Sequence, residues 1–497
     1  MTSGDTQGHP ARATPAKEGG TGLARQSVGL PGVVFQSVTF MAPGGSIATS
    51  LAVAAAYAGG ALSLSILITL VGALIVAGSI GQLARHLPSA GSIYTYPAQG
   101  LHPYAGFLVG WGYALITGLV GPIVNLLIGY FVATELHTEF GWNFRAMWII
   151  FMLLPAVLTA ASGYFGVKLG TRAGVVLGAL EIAVFAALSI SMFVHATAGG
   201  LTLSTFTLKY ANAKGFEGAS GLVGGSVYVL LAFVGFEAAA PLAEEARSPR
   251  RTVPRAVLLS CLIVGVLFLF TTSAVAAYVG PAHMATYGGL GGGSPWIEFG
   301  RQLWGWGWVI VFLAIVNSFF ANGNSALIAS TRTWFAMGRI RLLPQVFSRT
   351  SQRHAAPTVG IAAQTALTLV IALPLGLAFD PATAFQLLAT ILSAVMIGIY
   401  IVINLSVIGY YTRRQRGEFN WLTHLVLPII GSLLLLPALA AALGVGKSWL
   451  KFISPLPYPV SEAGLAVGIW FAAGLIYLGY LRAKHPDRVR DMARVFG

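Results

Sequence analysis

Windows of about twenty apolar residues, the length a helix needs to cross about 30 Å of hydrocarbon, recur from residue 31 to residue 481. They predict spans near 31–57, 61–83, 104–134, 146–164, 173–195, 222–243, 254–279, 304–337, 358–377, 384–411, 421–443 and 462–481. That is an all-α integral membrane protein with about twelve transmembrane helices. The stretches 201–220 and 282–301 are Gly-rich and polar and read as loops.

Two of the spans are interrupted in mid-membrane. The first reads VVFQSVTFMAPGGSIATSLAV, with Pro43, Gly44, Gly45 and Ser46 at its centre. Proline removes a backbone donor, and glycine favours non-helical geometry. The sixth carries Phe233, Val234, Gly235, Phe236 and then a carboxylate, Glu237, at a similar depth. Broken helices are tolerated there only where they line a cavity or lie buried in protein. Freed amides on a second half-helix suit a carboxylate, and freed carbonyls on a first half suit an ammonium group or a cation. The two breaks stand five spans apart. Two five-helix units, each opening with a broken helix, would have opposite orientations in the membrane and would hold a site at their interface. The corresponding divisions are 28–198 and 199–415, with two further helices at 416–482 and tails at 1–27 and 483–497. Ordinary kinks and packing notches are the plain alternative for either break alone.

Intramembrane polar groups mark the same depth. Placing a carboxylate near the bilayer centre costs roughly 2.5–3.5 kcal/mol on insertion scales. Glu237 is one such group, and Glu181, in VVLGALEIAVFAAL, is the second. Each is a candidate for proton or cation handling, or is a structural carboxylate bonded to a neighbouring helix. Asn125 sits in the third span, and Asn317, Ser318, Asn322 and Asn324 make the eighth unusually polar. For these, interhelical hydrogen bonding is the plain reading.

Composition narrows the class. The chain has 497 residues, 56% hydrophobic and 9% charged, too few charges to coat a soluble globule. The net charge of +14 could suggest nucleic acid. The basic residues instead fall between spans and mostly on one side. Only Arg145, Lys209, Lys214, Arg301, Lys447 and Lys451 of the 29 Lys and Arg lie on the other. This bias puts both termini in the cytoplasm, and the partner it implies is a lipid bilayer. The leader 1–26 lacks an apolar core, so it reads as a cytoplasmic tail and not as a signal peptide. Clusters such as Arg247, Arg250, Arg251 and Arg255 state topology. Trp304, Trp306 and Trp308 read as interfacial anchors. A single cysteine, Cys261, gives no disulfide framework. The run GGLGGGS lacks the Lys-Ser/Thr of a phosphate loop. No enzyme signature, metal cluster or cofactor is indicated.

The segment LPSAGSIYTYPAQGLHPYAGFLVGW, at 87–111, resembles the loop between helices 2 and 3 of amino acid/polyamine/organocation permeases. GFEAAAPLAEEARSPRRTVPRAV resembles the end of helix 6 in the same family, and STRTWFAMGRIRLLPQVF resembles the loop after helix 8. GPIVNLLIG, with Pro122 and Asn125, is similar to the putrescine-importer-like branch. The resemblance implies a LeuT-like fold, a five-plus-five inverted repeat with helices 1 and 6 broken. It also implies secondary transport of amino acids or related amines across the cytoplasmic membrane. Gly44, Gly45 and Ser46, next to Ala42, would meet a substrate carboxylate. The carbonyls of Phe233, Val234 and Gly235, beside Phe236, would meet its amine. Glu237 aligns with a gate or proton group, and Asn125 would line the pocket. Some proton-coupled relatives place a Lys near Glu181. The fold packs span 8 against span 1, which makes Asn317 and Ser318 candidates for ion coupling. One departure is the first break, Ala-Pro-Gly-Gly-Ser where many relatives have Gly-x-Gly. Proton-coupled import is the expected mode, with polyamine import or amino acid/amine exchange on the same fold as alternatives. A channel would need polar stripes over the full depth of several helices. The major facilitator fold would divide six plus six and would need no breaks.

Overall fold

A computed structural model describes residues 28–88, 91–142, 146–165, 171–196, 203–244, 246–351, 356–445 and 452–491. The tail 1–27, Lys168 and Glu245 lie outside the described residues. The helices in chain order are α1 (Leu30–Met41), α2 (Pro43–Ala48), α3 (Ser50–Ala58), α4 (Leu62–His86), α5 (Ser92–Gly100) and α6 (Pro103–Phe140). Then come α7 (Met147–Phe165), α8 (Thr171–Val194), α9 (Ala219–Phe233), α10 (Pro249–Val279), α11 (Pro295–Trp304) and α12 (Trp308–Arg339). The last five are α13 (Thr358–Phe379), α14 (Pro381–Arg413), α15 (Leu427–Ala442), α16 (Ala463–Lys484) and α17 (Pro486–Asp491).

Eleven stretches among the described residues are helical, long and apolar enough to cross a membrane. The expected first span is not one helix. It is α1, α2 and α3, of 12, 6 and 9 residues. Ala42 adopts left-handed angles (φ 46°, ψ 66°) between α1 and α2, and Thr49 (φ −119°, ψ −67°) separates α2 from α3. The sixth span is α9, which stops at Phe233, followed by a tighter 3₁₀ segment, Phe236–Glu244. The eighth starts later than its apolar pattern suggests. Gly305 (φ +55°) divides a short outer helix, α11, from α12.

Packing follows from the need to bury both apolar surface and broken backbone. α6 has 38 residues, about 57 Å at 1.5 Å per residue, and contacts α7, α12, α13 and α14. α4 packs along α10, and α3 along α9. α8 contacts α10 and α12 and touches α1 and α2. On the face read as outer, Arg301 of α11 bridges to the end of α6. It pairs with Glu135, with Glu139 at 2.8 Å and with Glu298 at 3.4 Å. Its guanidinium also lies over the Trp308 ring. Trp304 donates to Ser191 Oγ at 2.9 Å, so of the three tryptophans Trp306, which is 83% exposed, best fits a free anchor.

Candidate functional site at two helix breaks

A break inside a membrane helix leaves amides and carbonyls that water cannot serve, so each needs a protein partner. At the first break the Ala42 N–H donates to the Thr39 carbonyl at 3.2 Å. Met41 O accepts from Ser46 Oγ at 2.8 Å, and Phe40 O accepts from Asn322 Nδ2 at 2.7 Å. The Gly44 N–H donates to Glu181 Oε1 at 2.6 Å, and the Gly45 N–H donates to Ser318 Oγ at 2.9 Å. Ser318 Oγ in turn donates to Glu181 Oε1 at 2.7 Å, and Asn317 Nδ2 reaches Glu181 Oε2 at 3.4 Å. Glu181 is therefore a wholly acceptor group joining α8, α12 and the start of α2. An added Cβ at Gly44 would lie 2.6 Å from the Phe185 ring and 2.9 Å from Glu181 Oε1, which is why no side chain fits where the carboxylate approaches.

The second break is held from the opposite side. Gly235 takes φ +126°, and its N–H donates to Glu237 Oε2 at 3.0 Å. The Tyr400 hydroxyl of α14 donates to the same oxygen at 2.8 Å. Glu237 is fully buried, and its Oε1 has no hydrogen-bond partner among the described residues. The two breaks are also stitched to each other, since Ser37 Oγ of α1 donates to Phe236 O at 2.9 Å. Ser37→Ala is expected to remove one interhelical bond, worth about 0.6–2 kcal/mol. A lowered melting temperature of the purified protein, with an unchanged substrate profile, would be the signature.

Between the breaks lies a cavity with about 60 Å³ available to the centres of water-sized molecules. Ala42, Ser46 and Val234 line it, as does Asn322. The other expected site residues do not. Gly44, Gly45, Glu181, Asn317 and Ser318 form the hydrogen-bonded cluster behind the first break. Phe233, Gly235, Phe236 and Glu237 form or back the second. Asn125 does not line the cavity either, and its Nδ2 donates to the Gly121 carbonyl of its own helix. Asn322 stands out in the sequence only as one polar residue among several on α12. Its place on the wall depends on the turn of α12 relative to α1, which no local pattern encodes.

A multi-helix membrane protein with an internal cavity between two mutually stitched helix breaks is the class these features define. The chain belongs to the amino acid permease family, whose sequence profile matches residues 33–462. It is 25% identical over 462 residues to the low-affinity putrescine importer PlaP of Escherichia coli K12, covering 91% of this chain and 93% of that protein. It is 26% identical over 465 residues to the branched-chain amino acid permease BcaP of Lactococcus lactis subsp. cremoris, covering 90% and 91%. The mouse cationic amino acid transporter 4 matches over 385 residues at 26% identity, covering 74% and 58%. These relatives are named as transporters of amino acids or amines.

Proposed function

We propose that this chain is a secondary active transporter that imports amino acids or related amines across the cytoplasmic membrane, with protons as the coupling ion and both termini in the cytoplasm. Substrate binds at the cavity between the breaks and is released by alternating access. Two inverted five-helix units, 28–198 and 199–415, form the frame, with α15 and α16 outside it. Counterpart spans lie in contact, which supports that division: α4 packs on α10, α6 on α12 and α7 on α13.

The observation that carries the mechanism is Glu181 on the Gly44 amide, backed by Ser318 on the Gly45 amide. A carboxylate already occupies the donors that would suit a substrate carboxylate. Anionic Glu181 holds them by charge-assisted hydrogen bonds, which are stronger than neutral ones. A proton on Glu181 removes the charge and weakens that hold. The short α2 segment is then free to turn and present those amides to a carboxylate in the cavity that Ala42 and Ser46 line, so proton and substrate favour each other's binding. Release on the inner side reverses both steps. Glu237 and Tyr400 act from behind the second break, where they hold the Gly235 backbone.

The relatives include proteins named for putrescine and for branched-chain amino acids, so polyamine import remains the second reading, as does exchange of an amino acid for an amine. The deciding measurement is uptake by the purified chain in proteoliposomes across a panel of amino acids and polyamines. An inward proton gradient is expected to drive accumulation of at least one member, and a sodium gradient is not. Uptake that follows sodium alone would remove Glu181 from the coupling scheme. Absence of uptake or exchange across the panel would overturn the transport reading.

A further inference from the structure

The cavity wall is divided in its chemistry. Its polar part comes from the first break and α12, and most of those groups are already engaged. Ser46 Oγ donates to Met41 O, Thr49 Oγ1 to Gly45 O and Asn322 Nδ2 to Phe40 O. Asn322 Oδ1 is buried with no hydrogen-bond partner among the described residues. It is an acceptor left over for one donor. The remainder of the wall is hydrocarbon: Ile123, Val124 and Leu127 of α6, Leu231 of α9, and Phe385 and Leu392 of α14. Among the described residues no Asp, Glu, Lys or Arg side chain lines it. Neither intramembrane carboxylate lines it: Glu181 is bonded to Gly44 and Ser318, and Glu237 holds Gly235 and Tyr400 through Oε2.

An ammonium group at the tail of a substrate would be stripped of water against this wall without an anion to meet it. Buried charges are retained where they are paired and hydrogen-bonded. A branched hydrocarbon tail meets the opposite conditions, since apolar side chains close to van der Waals contact are what the wall offers. From this juxtaposition of a small polar end and a charge-free aliphatic end, we infer that the substrate is a neutral amino acid with an aliphatic side chain, and not a diamine or a cationic amino acid. The inference rests on the transport reading above and narrows it. The zwitterionic head goes to the breaks, and one amine hydrogen goes to Asn322 Oδ1. The side chain points between α6 and α14.

The test is competition for uptake into proteoliposomes holding the full chain, with labelled isoleucine as the probe and leucine, valine, alanine, arginine and putrescine as competitors. Because one methylene in an apolar pocket is worth about tenfold or more in discrimination, isoleucine, leucine and valine should compete at concentrations at least about tenfold below alanine. Arginine and putrescine should not displace the probe. If either displaces it as well as leucine does, or is itself taken up in preference, the inference is overturned while transport stands. If no compound on the panel is taken up or raises the melting temperature of the protein, the transport reading fails and takes the inference with it. Ile123→Ala and Leu127→Ala provide a second readout. Each should raise KM for isoleucine about tenfold more than KM for alanine, with kcat little changed. Equal changes for both substrates in both variants would place the side chain elsewhere and overturn the assignment.

Discussion

Glu181→Gln is expected to uncouple substrate accumulation from the proton gradient while leaving the protein folded. Glutamine keeps an oxygen that can accept from the Gly44 amide and from Ser318 Oγ, the two shortest contacts of the native carboxylate. It loses the ability to alternate between charged and neutral forms. Asn317 Nδ2, which reaches Oε2 at 3.4 Å, would then face a second amide donor, a modest local conflict. One coupled proton and a gradient of one pH unit supply about 1.4 kcal/mol, or about tenfold accumulation of a zwitterion. The wild-type chain should approach that ratio. The variant should stop at equal concentrations inside and outside, and its uptake should lose its dependence on external pH. Counterflow of preloaded substrate, which needs no net proton movement, should persist. A pH profile like that of the wild type would remove Glu181 from the coupling scheme. Loss of counterflow as well as accumulation would show a binding defect instead.

What the sequence could disclose about this arrangement depended on distance along the chain. Pro43, Gly44 and Gly45 announce a break by their own stereochemistry, and a break is there. Its hinge is Ala42, at φ 46°. Alanine has no preference for that region, so only the surroundings can hold it there. Glu181 was visible as a carboxylate in an apolar run. Its partners at Gly44 and Ser318 both lie 137 positions away, and their meeting is a property of the tertiary packing. Glu237 had invited assignment to a substrate amine because it follows the second break directly. Its proximity in sequence concealed its direction, since the 3₁₀ path from Phe236 carries it behind the backbone to Tyr400. The polar, Gly-rich stretch 282–301 reads as a loop, yet its end forms most of α11, because Glu298 and Arg301 lower the hydropathy of a short helix whose other face is buried. Most span positions are legible because apolar length sets them. Among the described residues, however, eleven stretches, not twelve, are helical, long and apolar enough to cross a membrane, and the first expected span is divided into α1, α2 and α3. The wall of the cavity is not legible, because it is assembled from the first break together with one face each of α6, α9, α12 and α14.

Gly235→Ala should cut uptake by at least about tenfold, although it adds one methyl group. Gly235 adopts φ +126°, a backbone conformation that L residues avoid, and holding a non-glycine residue in such a region costs about 1–3 kcal/mol. Space adds to the strain. A Cβ there would stand 2.7 Å from Phe40 Cδ1, 2.8 Å from the Met41 nitrogen and 2.9 Å from the Phe40 carbonyl carbon. The Phe40 ring could turn, but Met41 N and Phe40 C are backbone of the first break. Relief therefore requires the two breaks to separate, which pulls Ser37 from Phe236 O and moves Phe40, Met41 and Val234, all on the cavity wall. A shift of that kind changes the geometry seen by the substrate more than it changes the buried area. Uptake should thus fall by about tenfold to a hundredfold, the equivalent of about 1.4–2.8 kcal/mol, with a smaller loss in melting temperature. Gly78→Ala on α4, where an added Cβ meets nothing within 4 Å, is the matched control and should transport normally. If Gly235→Ala transports as the control does, the close approach of the two breaks is not what shapes the substrate site.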